Sequence, residues 1–347
     1  MTGLLSIVAA VLAVSLLIVI HECGHYFAAR AVGMRVERFS FGFGPVLLSF
    51  RRGDTLFAIS AVPIGGYVAV AGAGAAAEVD PADTGAYANK SAGRRFLFVL
   101  AGPVMNYLSA VLVAWVLLAT FGLGVPDTSA RVGPVMAGMP AEQAGLRDGD
   151  RITAVGGVPV GTWDELVAQV RSHAGAPVPV EVQRGEGASA ERMALTVTPQ
   201  KDTGRVGFQM GKIVYRKGAL EALPEAVSET NGNLVAQLKG FAAIFARKQS
   251  AELSGPVGIA QELVRGARAG LERFLGLVWG ISVGLVVLNL LPFPALDGSR
   301  LLFLGYELVT RRRVNERVES LIHTGGFVVL LVLIIAVSFG DVARLLR

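Results

Sequence analysis

Residues 4–30 read LLSIVAAVLAVSLLIVIHECGHYFAAR, and this stretch decides the class of fold. It contains no charged residue before Glu22, and about 20 consecutive apolar residues are enough to cross a bilayer as an α-helix. A cleaved secretory signal peptide is the alternative. However, no basic residue precedes Leu4, and the sequence His-Glu-Cys-Gly-His occupies the place where a small-residue cleavage site belongs. The stretch therefore predicts a retained transmembrane helix.

The composition of the whole chain favours a membrane protein. Of its 347 residues, 52% are hydrophobic and only 17% are charged, with a mean hydropathy of +0.54, which is too apolar for a soluble protein. Three more apolar runs of spanning length follow at 96–125, 274–291 and 321–340. Residues 126–273 have a soluble composition. We therefore expect a polytopic α-helical membrane protein with four transmembrane helices and one α+β domain.

Basic residues in the two short loops predict the orientation, because loops rich in lysine and arginine face the cytoplasm. The loops between the first two spans and between the last two contain Arg30, Arg35, Arg38, Arg51, Arg52, Lys90, Arg94, Arg95, Arg300, Arg311, Arg312, Arg313 and Arg317. The N-terminus and the α+β domain are then expected on the outer side. These loops also explain the net charge of +5, so the charge does not indicate a nucleic-acid partner.

The Gly-rich segment 39–74 predicts strands and turns. Short apolar patches such as 55–59 are followed by a Gly65-Gly66 break. Since the segment lies between two membrane spans, it either lines a wet cavity at membrane depth or forms an ordinary cytoplasmic hairpin. The sequence pattern favours neither arrangement over the other.

The middle of the chain combines strand, turn and helix signals. A capping-box pattern at Thr162 and Glu165 predicts a helix over 162–172. Apolar residues at near-helical spacing over 224–249 predict an amphipathic helix that packs against the α+β domain or lies on lipid. Short strands separated by turn residues are expected at 151–155, 178–183 and 193–198.

The pentapeptide at 21–25 predicts a metal site. On a helix, His21 and His25 lie one turn apart on the same face, where both can bind one zinc ion. Glu22 lies about 100° around the helix, where its carboxylate can take a proton from a water that zinc acidifies towards a pKa of about 7. An accidental match is the alternative, but the chain has only four histidines, and an unpartnered ionisable residue in an apolar span is costly.

A catalytic zinc ion needs a third protein ligand. Asp297 is the candidate, because Pro292 and Pro294 end the third helix just before it and an acidic residue beside such a break can turn inwards. A capping role in a cytoplasmic turn is the alternative for Asp297. His323, near the start of the fourth span, is a rival ligand whose commoner role is that of a polar residue at a helix end.

Two amides in apolar spans are candidate substrate-binding residues. Asn289 lies at the end of the third span and Asn106 within the second, and both need hydrogen-bond partners there. Either can hold a substrate backbone or donate to the oxyanion that forms during hydrolysis. Hydrogen bonding between helices is the alternative. Gly102, four residues before Asn106, also suggests a close approach between helices.

Several motifs together resemble one family. They are HECGH at 21–25, FGFGPVLLSF at 41–50, GGYV at 65–68, AGPVMN at 101–106, SGPVGI at 254–259 and NLLPFPALDG at 289–298. They resemble the site-2 protease family of intramembrane zinc metalloproteases, in particular its bacterial RseP-like branch. The stretches PAEQAGLRDGDRITAVGGVPV at 140–160 and TWDELV at 162–167 resemble a bacterial PDZ domain, and only one such domain fits between residues 126 and 215.

The resemblance implies roles for single residues. His21, His25 and Asp297 would bind Zn²⁺, and Glu22 would be the general base. Asn289 would assist substrate or transition-state binding, and the β region, including Gly65 and Gly66, would contact substrate. It also implies a bacterial inner-membrane enzyme with a periplasmic PDZ domain and an active site towards the cytoplasmic side. Its substrates would be single-span proteins, such as anti-sigma factors or signal-peptide remnants, that a site-1 protease has already cut.

The resemblance also divides the chain into segments. They are the first transmembrane helix (1–33), the re-entrant β region with a cytoplasmic loop (34–93), the second transmembrane helix (94–125), the PDZ domain (126–215), an amphipathic helical connector (216–270), the third transmembrane helix with the LDG motif (271–298), a cytoplasmic loop (299–320) and the fourth transmembrane helix with the C-terminus (321–347).

Two other functions compete with proteolysis. A non-proteolytic scaffold would use a PDZ module to recruit partners and keep a closed structural zinc site, for which the sequence offers only His323 or Cys23 as a fourth ligand. A zinc transporter would need several polar residues along more than one span, whereas the second and third spans contain mainly single amides.

Overall fold

A computed structural model of the chain describes residues 3–73, 79–185, 187, 190–215, 218–246 and 255–345. Parts of the predicted cytoplasmic loop (74–78) and of the predicted connector (216–217 and 247–254) lie outside the described residues. The chain divides into two compact units. We call Met1–Ala119 with Gly218–Arg347 the membrane unit, and Thr120–Lys217 the α+β unit.

Helices form most of the membrane unit, and eight of the ten strands that the structure describes lie in the α+β unit. The helices are α1 (Gly3–Ala31), α2 (Ala92–Thr120), α3 (Pro140–Gln143), α4 (Trp163–Ser172), α5 (Ala219–Phe245), α6 (Pro256–Ala269), α7 (Leu271–Leu290), α8 (Asp297–Thr310) and α9 (Glu316–Leu345). The strands are β1 (Val36–Arg52), β2 (Thr55–Val70), β3 (Leu123–Pro126), β4 (Val132–Val135), β5 (Arg151–Val155), β6 (Val158–Pro159), β7 (Val178–Arg184), β8 (Glu191–Val197), β9 (Phe208–Met210) and β10 (Lys212–Tyr215).

Four helices confirm the predicted spans. Among the described residues, α1, α2, α7 and residues 317–344 of α9 are long and apolar enough to cross a membrane. The 29 residues of α1 extend about 44 Å at 1.5 Å per residue, which exceeds the roughly 30 Å of a hydrocarbon core. Helices α1, α6 and α7 pack together through Ala10, Leu17, Leu263 and Val278. This packing fixes the helix that carries both histidines.

Strands β1 and β2 form a folded hairpin, as the Gly-rich segment predicts. Phe39 in the first half of β1 pairs with both Phe57 and Val68, so this half lies between the two halves of β2. The end of β1 pairs only with the start of β2, with Arg52 opposite Thr55. Positive φ values at glycines, such as +98° at Gly65, allow the strands to bend.

Two predicted segments need correction. The connector at 216–270 contains two separate helices, α5 and α6. The amphipathic helix was expected to pack against the α+β domain or to lie on lipid. Helix α5 packs against α7. At this contact Trp279 Nε1 of α7 donates a hydrogen bond to Thr230 Oγ1 of α5 at 3.1 Å. Leu263 of α6 is fully buried. Both helices therefore belong to the membrane unit.

The third span ends before Pro292, as the two prolines predict, but the segment 271–298 assigned to it is too long. Helix α7 ends at Leu290, ahead of Pro292, and the LDG motif begins α8 instead of ending α7. The predicted loop at 299–320 is therefore helical as far as Thr310. Asp297 lies in the first turn of α8, where a carboxylate interacts favourably with the helix dipole. A Cβ on Gly298 would clash with Leu291 O, so the tight turn between the two helices requires glycine there.

The α+β unit has its own apolar core. A four-stranded sheet has the order β6-β5-β7-β8, and two-stranded sheets pair β10 with β3 and β4 with β9. Ile152, Leu166, Val180 and other buried side chains form one cluster beneath the main sheet and α4. Thr162 caps α4 in a complete capping box. The predicted helix and the three predicted strands are thus confirmed within a few residues.

Candidate metal centre

The two histidines of the pentapeptide face each other across one turn of α1. His21 Nε2 and His25 Nε2 are 3.1 Å apart, which confirms the predicted i, i+4 arrangement. His25 is buried. Helix α1 places both nitrogen atoms on the side that faces α2, because Gly24 contacts Ala101 closely. A Cβ at residue 24 would collide with the Ala101 carbonyl. Helices α1 and α2 therefore meet here with no side chain between them.

Asp297 completes a set of three ligand atoms. Its Oδ2 lies 3.1 Å from His21 Nε2 and 3.3 Å from His25 Nε2. Among the described residues, these three side chains form the group that could hold a metal ion. Ligands about 2.0 to 2.1 Å from a tetrahedral zinc ion are roughly 3.3 Å apart, so the three separations fit such an ion. Asp297 Oδ2 is buried with no hydrogen-bond partner among the described residues, which a metal bond would satisfy.

The outer nitrogen of each imidazole has its own partner. His25 Nδ1 lies 2.9 Å from Phe98 O, and because a carbonyl only accepts, Nδ1 carries the proton and Nε2 is free for metal. His21 Nδ1 lies 3.1 Å from the Asn106 amide. Such a partner fixes the tautomer and the ring orientation of a metal-ligating histidine.

Asn106 forms a hydrogen bond between helices, which was the alternative to its role as a substrate-binding residue. Its side chain is fully buried, with 0% exposure, and among the described residues it does not line the cavity at the metal site. Its Oδ1 has no hydrogen-bond partner within the part of the chain that the structure describes. Turning the amide group by 180° exchanges the positions of its oxygen and nitrogen. With Oδ1 turned towards His21, it would accept the Nδ1 proton and leave Nε2 free for metal. The structure therefore assigns Asn106 to His21, and a direct substrate contact stays a prediction.

Helix α2 approaches α1 closely at this level, as Gly102 suggests. A Cβ added at Gly102 would lie 2.6 Å from His21 Cε1 and would collide with His25 Nε2. Four residues after Gly102, the backbone oxygen of Asn106 accepts two hydrogen bonds. Ser282 of α7 donates one at 2.9 Å, and Ser109 of α2 donates the other at 2.8 Å. The second and third spans are thus tied together at the residue that contacts His21.

Glu22 lies beside the three ligands without joining them. It lines the same cavity as His21 and Asp297, as does Val68 of β2. A Cβ at Gly66 would lie 3.3 Å from Glu22 Cγ. The Gly65-Gly66 break therefore brings the hairpin against Glu22, a contact that only the two glycines could have indicated beforehand.

The cavity has a volume of about 600 Å³. Asn289 lines it, as expected of a residue that contacts substrate. His323 also lines it, but its Nδ1 accepts a hydrogen bond from the Ala295 backbone at 3.3 Å, and it is not in the group of ligand atoms. His323 therefore supports the loop before Asp297, and its proposed role as a rival ligand is wrong.

Sequence analysis missed other residues at the site. The cavity wall includes Tyr67, Phe98 and Phe327. Pro294 packs so closely on α9 that a Cβ at Gly326 would overlap it. The adjacent glycines Gly325 and Gly326 in an apolar span were the available signal, since small residues mark close helix contacts.

A glutamate beside a group of two histidines and one aspartate gives the set of side chains that a zinc-dependent hydrolase needs, and it lies on helices of membrane-spanning length. The model of Peptidase family M50 matches residues 9–333. The chain therefore belongs to this family, the site-2 proteases.

The relatives agree with this assignment. Zinc metalloprotease RasP of Oceanobacillus iheyensis is 28% identical over 431 residues, which covers 98% of this chain and 99% of that protein. Zinc metalloprotease RasP of Geobacillus kaustophilus is also 28% identical, with 98% of each covered. A proposed zinc metalloprotease of Clostridium acetobutylicum is 31% identical over 341 residues, with 97% of each covered. The chain is a zinc metalloprotease with Zn²⁺ as its cofactor, and the scaffold and transporter alternatives are not supported.

Proposed function

We propose that this protease hydrolyses peptide bonds within the transmembrane segments of single-span proteins. One observation carries the proposal: the two histidine ligands lie deep in a helix of spanning length. His21 is about 27 Å along α1 from Gly3 at 1.5 Å per residue, against a hydrocarbon thickness of roughly 30 Å. An ionisable cluster at such a depth is costly unless it has a function there.

Each residue at the cavity has a proposed task. His21, His25 and Asp297 hold the zinc ion, which when bound supplies an acidified water and polarises the scissile carbonyl. Glu22 takes a proton from the attacking water and passes it to the leaving amine. Asn289 lines the cavity, from which its amide can donate a hydrogen bond to the developing oxyanion.

The hairpin supports a location at membrane depth. Phe43, Leu47, Leu48 and Phe50 of β1 are each between 48% and 68% exposed, and a soluble surface seldom carries such a continuous apolar patch. In lipid the same patch would be buried. We propose that the β region lies within the bilayer and that Gly65 and Gly66 admit a substrate backbone beside Glu22.

The α+β unit has a proposed role in selecting substrates. The sequence pattern at 140–160 and the strand and helix order of the unit support a single PDZ domain. The arginine-rich loops support a location of the α+β unit outside a bacterial inner membrane and of the metal site towards the cytoplasm. The substrates would be single-span anti-sigma factors or signal-peptide remnants, shortened first by a site-1 protease in regulated intramembrane proteolysis.

The test uses the full chain purified with zinc and reconstituted with single-span reporters whose outer domains have been removed. The wild type should cut within the apolar span. Glu22→Gln should retain one zinc ion per chain but lose cleavage by at least 100-fold, because a neutral amide cannot accept the proton. Mass spectrometry of the products locates the cut.

The matched control is Glu37→Gln, the same change at an exposed residue of β1 outside the cavity, and it should cleave like the wild type. Cleavage by Glu22→Gln at the wild-type rate would remove Glu22 from the mechanism. Cuts restricted to soluble flanks of the reporters would contradict hydrolysis inside the membrane.

A further inference from the structure

The cavity that contains the metal ligands has one permanent cation in its wall. Among the described residues that line it, Arg300 is the only lysine or arginine. Arg300 lies on α8 three residues after Asp297, and residues at this spacing are neighbours on one face of a helix. Its side chain is exposed. A guanidinium group is therefore available beside the ligand set without belonging to it.

Two neighbouring arginines form ion pairs, whereas Arg300 forms none with the described residues. Arg95 Nη2 lies 2.6 Å from Glu307 Oε1, and Arg313 Nε lies 3.3 Å from the same oxygen. Within the part of the chain that the structure describes, Arg300 has neither a hydrogen bond nor an ion pair. Its charge serves no visible structural contact, so it is free to bind a ligand.

Arg300 also lies where two cavities meet. The second cavity has a volume of about 310 Å³, and it shares Arg300, His323 and Thr324 with the first. A group that leaves the metal ligands towards the second cavity passes this arginine. The shared wall thus gives Arg300 a position between the reaction site and an adjoining space.

The reaction creates a group that suits this position. Hydrolysis breaks the peptide C–N bond, joins the water oxygen to the acyl carbon and transfers a proton to the leaving amine. The acyl half then ends in a carboxylate, close to the negative charges of Glu22 and Asp297. An arginine binds a carboxylate through two parallel hydrogen bonds.

Building on the proposed function, we propose that Arg300 is the binding residue for the carboxylate of the N-terminal cleavage product. It takes up the new chain end from the metal centre and directs it towards the second cavity. This assigns a product-binding subsite to the junction of the two cavities.

The test measures inhibition by a synthetic peptide that matches the N-terminal half of a reporter cleaved by the wild type. One form of the peptide ends in a free carboxylate and the other in a carboxamide. Zinc itself prefers the carboxylate, but equally in both proteins. The ratio of the two inhibition constants, compared between wild type and Arg300→Gln, therefore isolates the arginine. We expect the preference for the carboxylate to fall about tenfold in the variant, as for a lost charged hydrogen bond.

Arg312→Gln is the matched control, since Arg312 is exposed just beyond α8 and lines neither cavity. It should keep the wild-type preference. Zinc content is measured for each variant, and Arg300→Met replaces Arg300→Gln if the latter loses zinc. An unchanged preference in a zinc-loaded Arg300 variant would overturn the proposal. If the wild type still cleaves the reporter, an unchanged preference would leave the proposed function intact. A wild type that cuts no reporter would count against both the proposed function and the role of Arg300.

Discussion

The α+β unit and the metal site of the membrane unit are organised in opposite ways. In the α+β unit, neighbouring strands of the main sheet follow each other closely in the chain, as β7 and β8 do, and one apolar cluster fills the interior. At the candidate metal site, α1 supplies two of the proposed ligands and α8 the third, and the amide that contacts His21 comes from α2.

This difference teaches what each part requires of its sequence. The α+β unit needs an apolar core and correct local signals, and many sequences satisfy such demands. The metal site needs three helices to approach within van der Waals contact, so single glycines and single amides decide its geometry. We therefore expect the metal site to be sensitive to very small changes that leave the α+β unit unaffected.

The largest effect is expected from one methyl group, in Gly102→Ala. The added Cβ would collide with His25 Nε2 and approach His21 Cε1, and the hydrogen bonds of the two rings to Phe98 O and Asn106 restrict their movement. Either ligand displaced by about 1 Å loses its metal bond. We expect zinc affinity to fall by more than 100-fold, measured by competition with a chelator, together with the loss of cleavage.

Gly93→Ala is the control for this comparison. Gly93 lies on the same helix, and a Cβ there would meet nothing within 4 Å, so alanine should be neutral or slightly stabilising. Hydrogen exchange in the α+β unit should be unchanged in both variants. If Gly102→Ala bound zinc like the wild type, the close approach of α1 and α2 would not be what positions the ligands.

A smaller effect is expected from Asn106→Leu. Leucine keeps much of the volume but removes the partner of His21 Nδ1, and loss of such a partner typically weakens metal binding 10- to 100-fold. Asn106→Asp provides an acceptor in the same place and should restore most of the zinc affinity. Equal affinities for the leucine and aspartate variants would show that Asn106 only fills space.

The sequence predicted the spans well, and the three side chains that it proposed as ligands lie together in the structure. Apolar length predicted the four helices, and the i, i+4 spacing of His21 and His25 fixed their shared face. Asp297 could be suggested because two prolines end the helix before it and because two histidines leave a zinc ion short of a ligand. These inferences need only local sequence and the coordination chemistry of zinc.

Contacts between helices could not be predicted in the same way. Nothing near Asn106 in the sequence shows that its amide meets His21, since that contact depends on how α1 and α2 pack. The sequence also placed a loop at 299–320, because its arginines outweighed the helical spacing of Leu301, Leu304 and Leu308.

The smallest effect is expected in the α+β unit, at the cap of α4. Thr162 Oγ1 accepts a hydrogen bond from Glu165 N at 3.3 Å, and replacing such a cap by alanine costs about 1 kcal/mol. In Thr162→Ala, the amides of α4 should exchange roughly fivefold faster. Hydrogen exchange of the full chain with mass spectrometry measures this, and zinc affinity should not change.

The pH dependence of the same helix sharpens this prediction. The Glu165 carboxylate accepts hydrogen bonds from the backbone N–H groups of Gly161 and Thr162, which lower its pKa below the ordinary value. A lowered pKa means that the ionised form stabilises the cap. This contribution is complete above the unfolded pKa of about 4.3 and is lost as the pH falls through the folded value. After correction for intrinsic exchange rates, protection of α4 should therefore fall on acidification in the wild type but less in Glu165→Gln. An identical acid response in both proteins would assign the loss to other carboxylates and would leave Thr162 as the only part of the cap that stabilises α4.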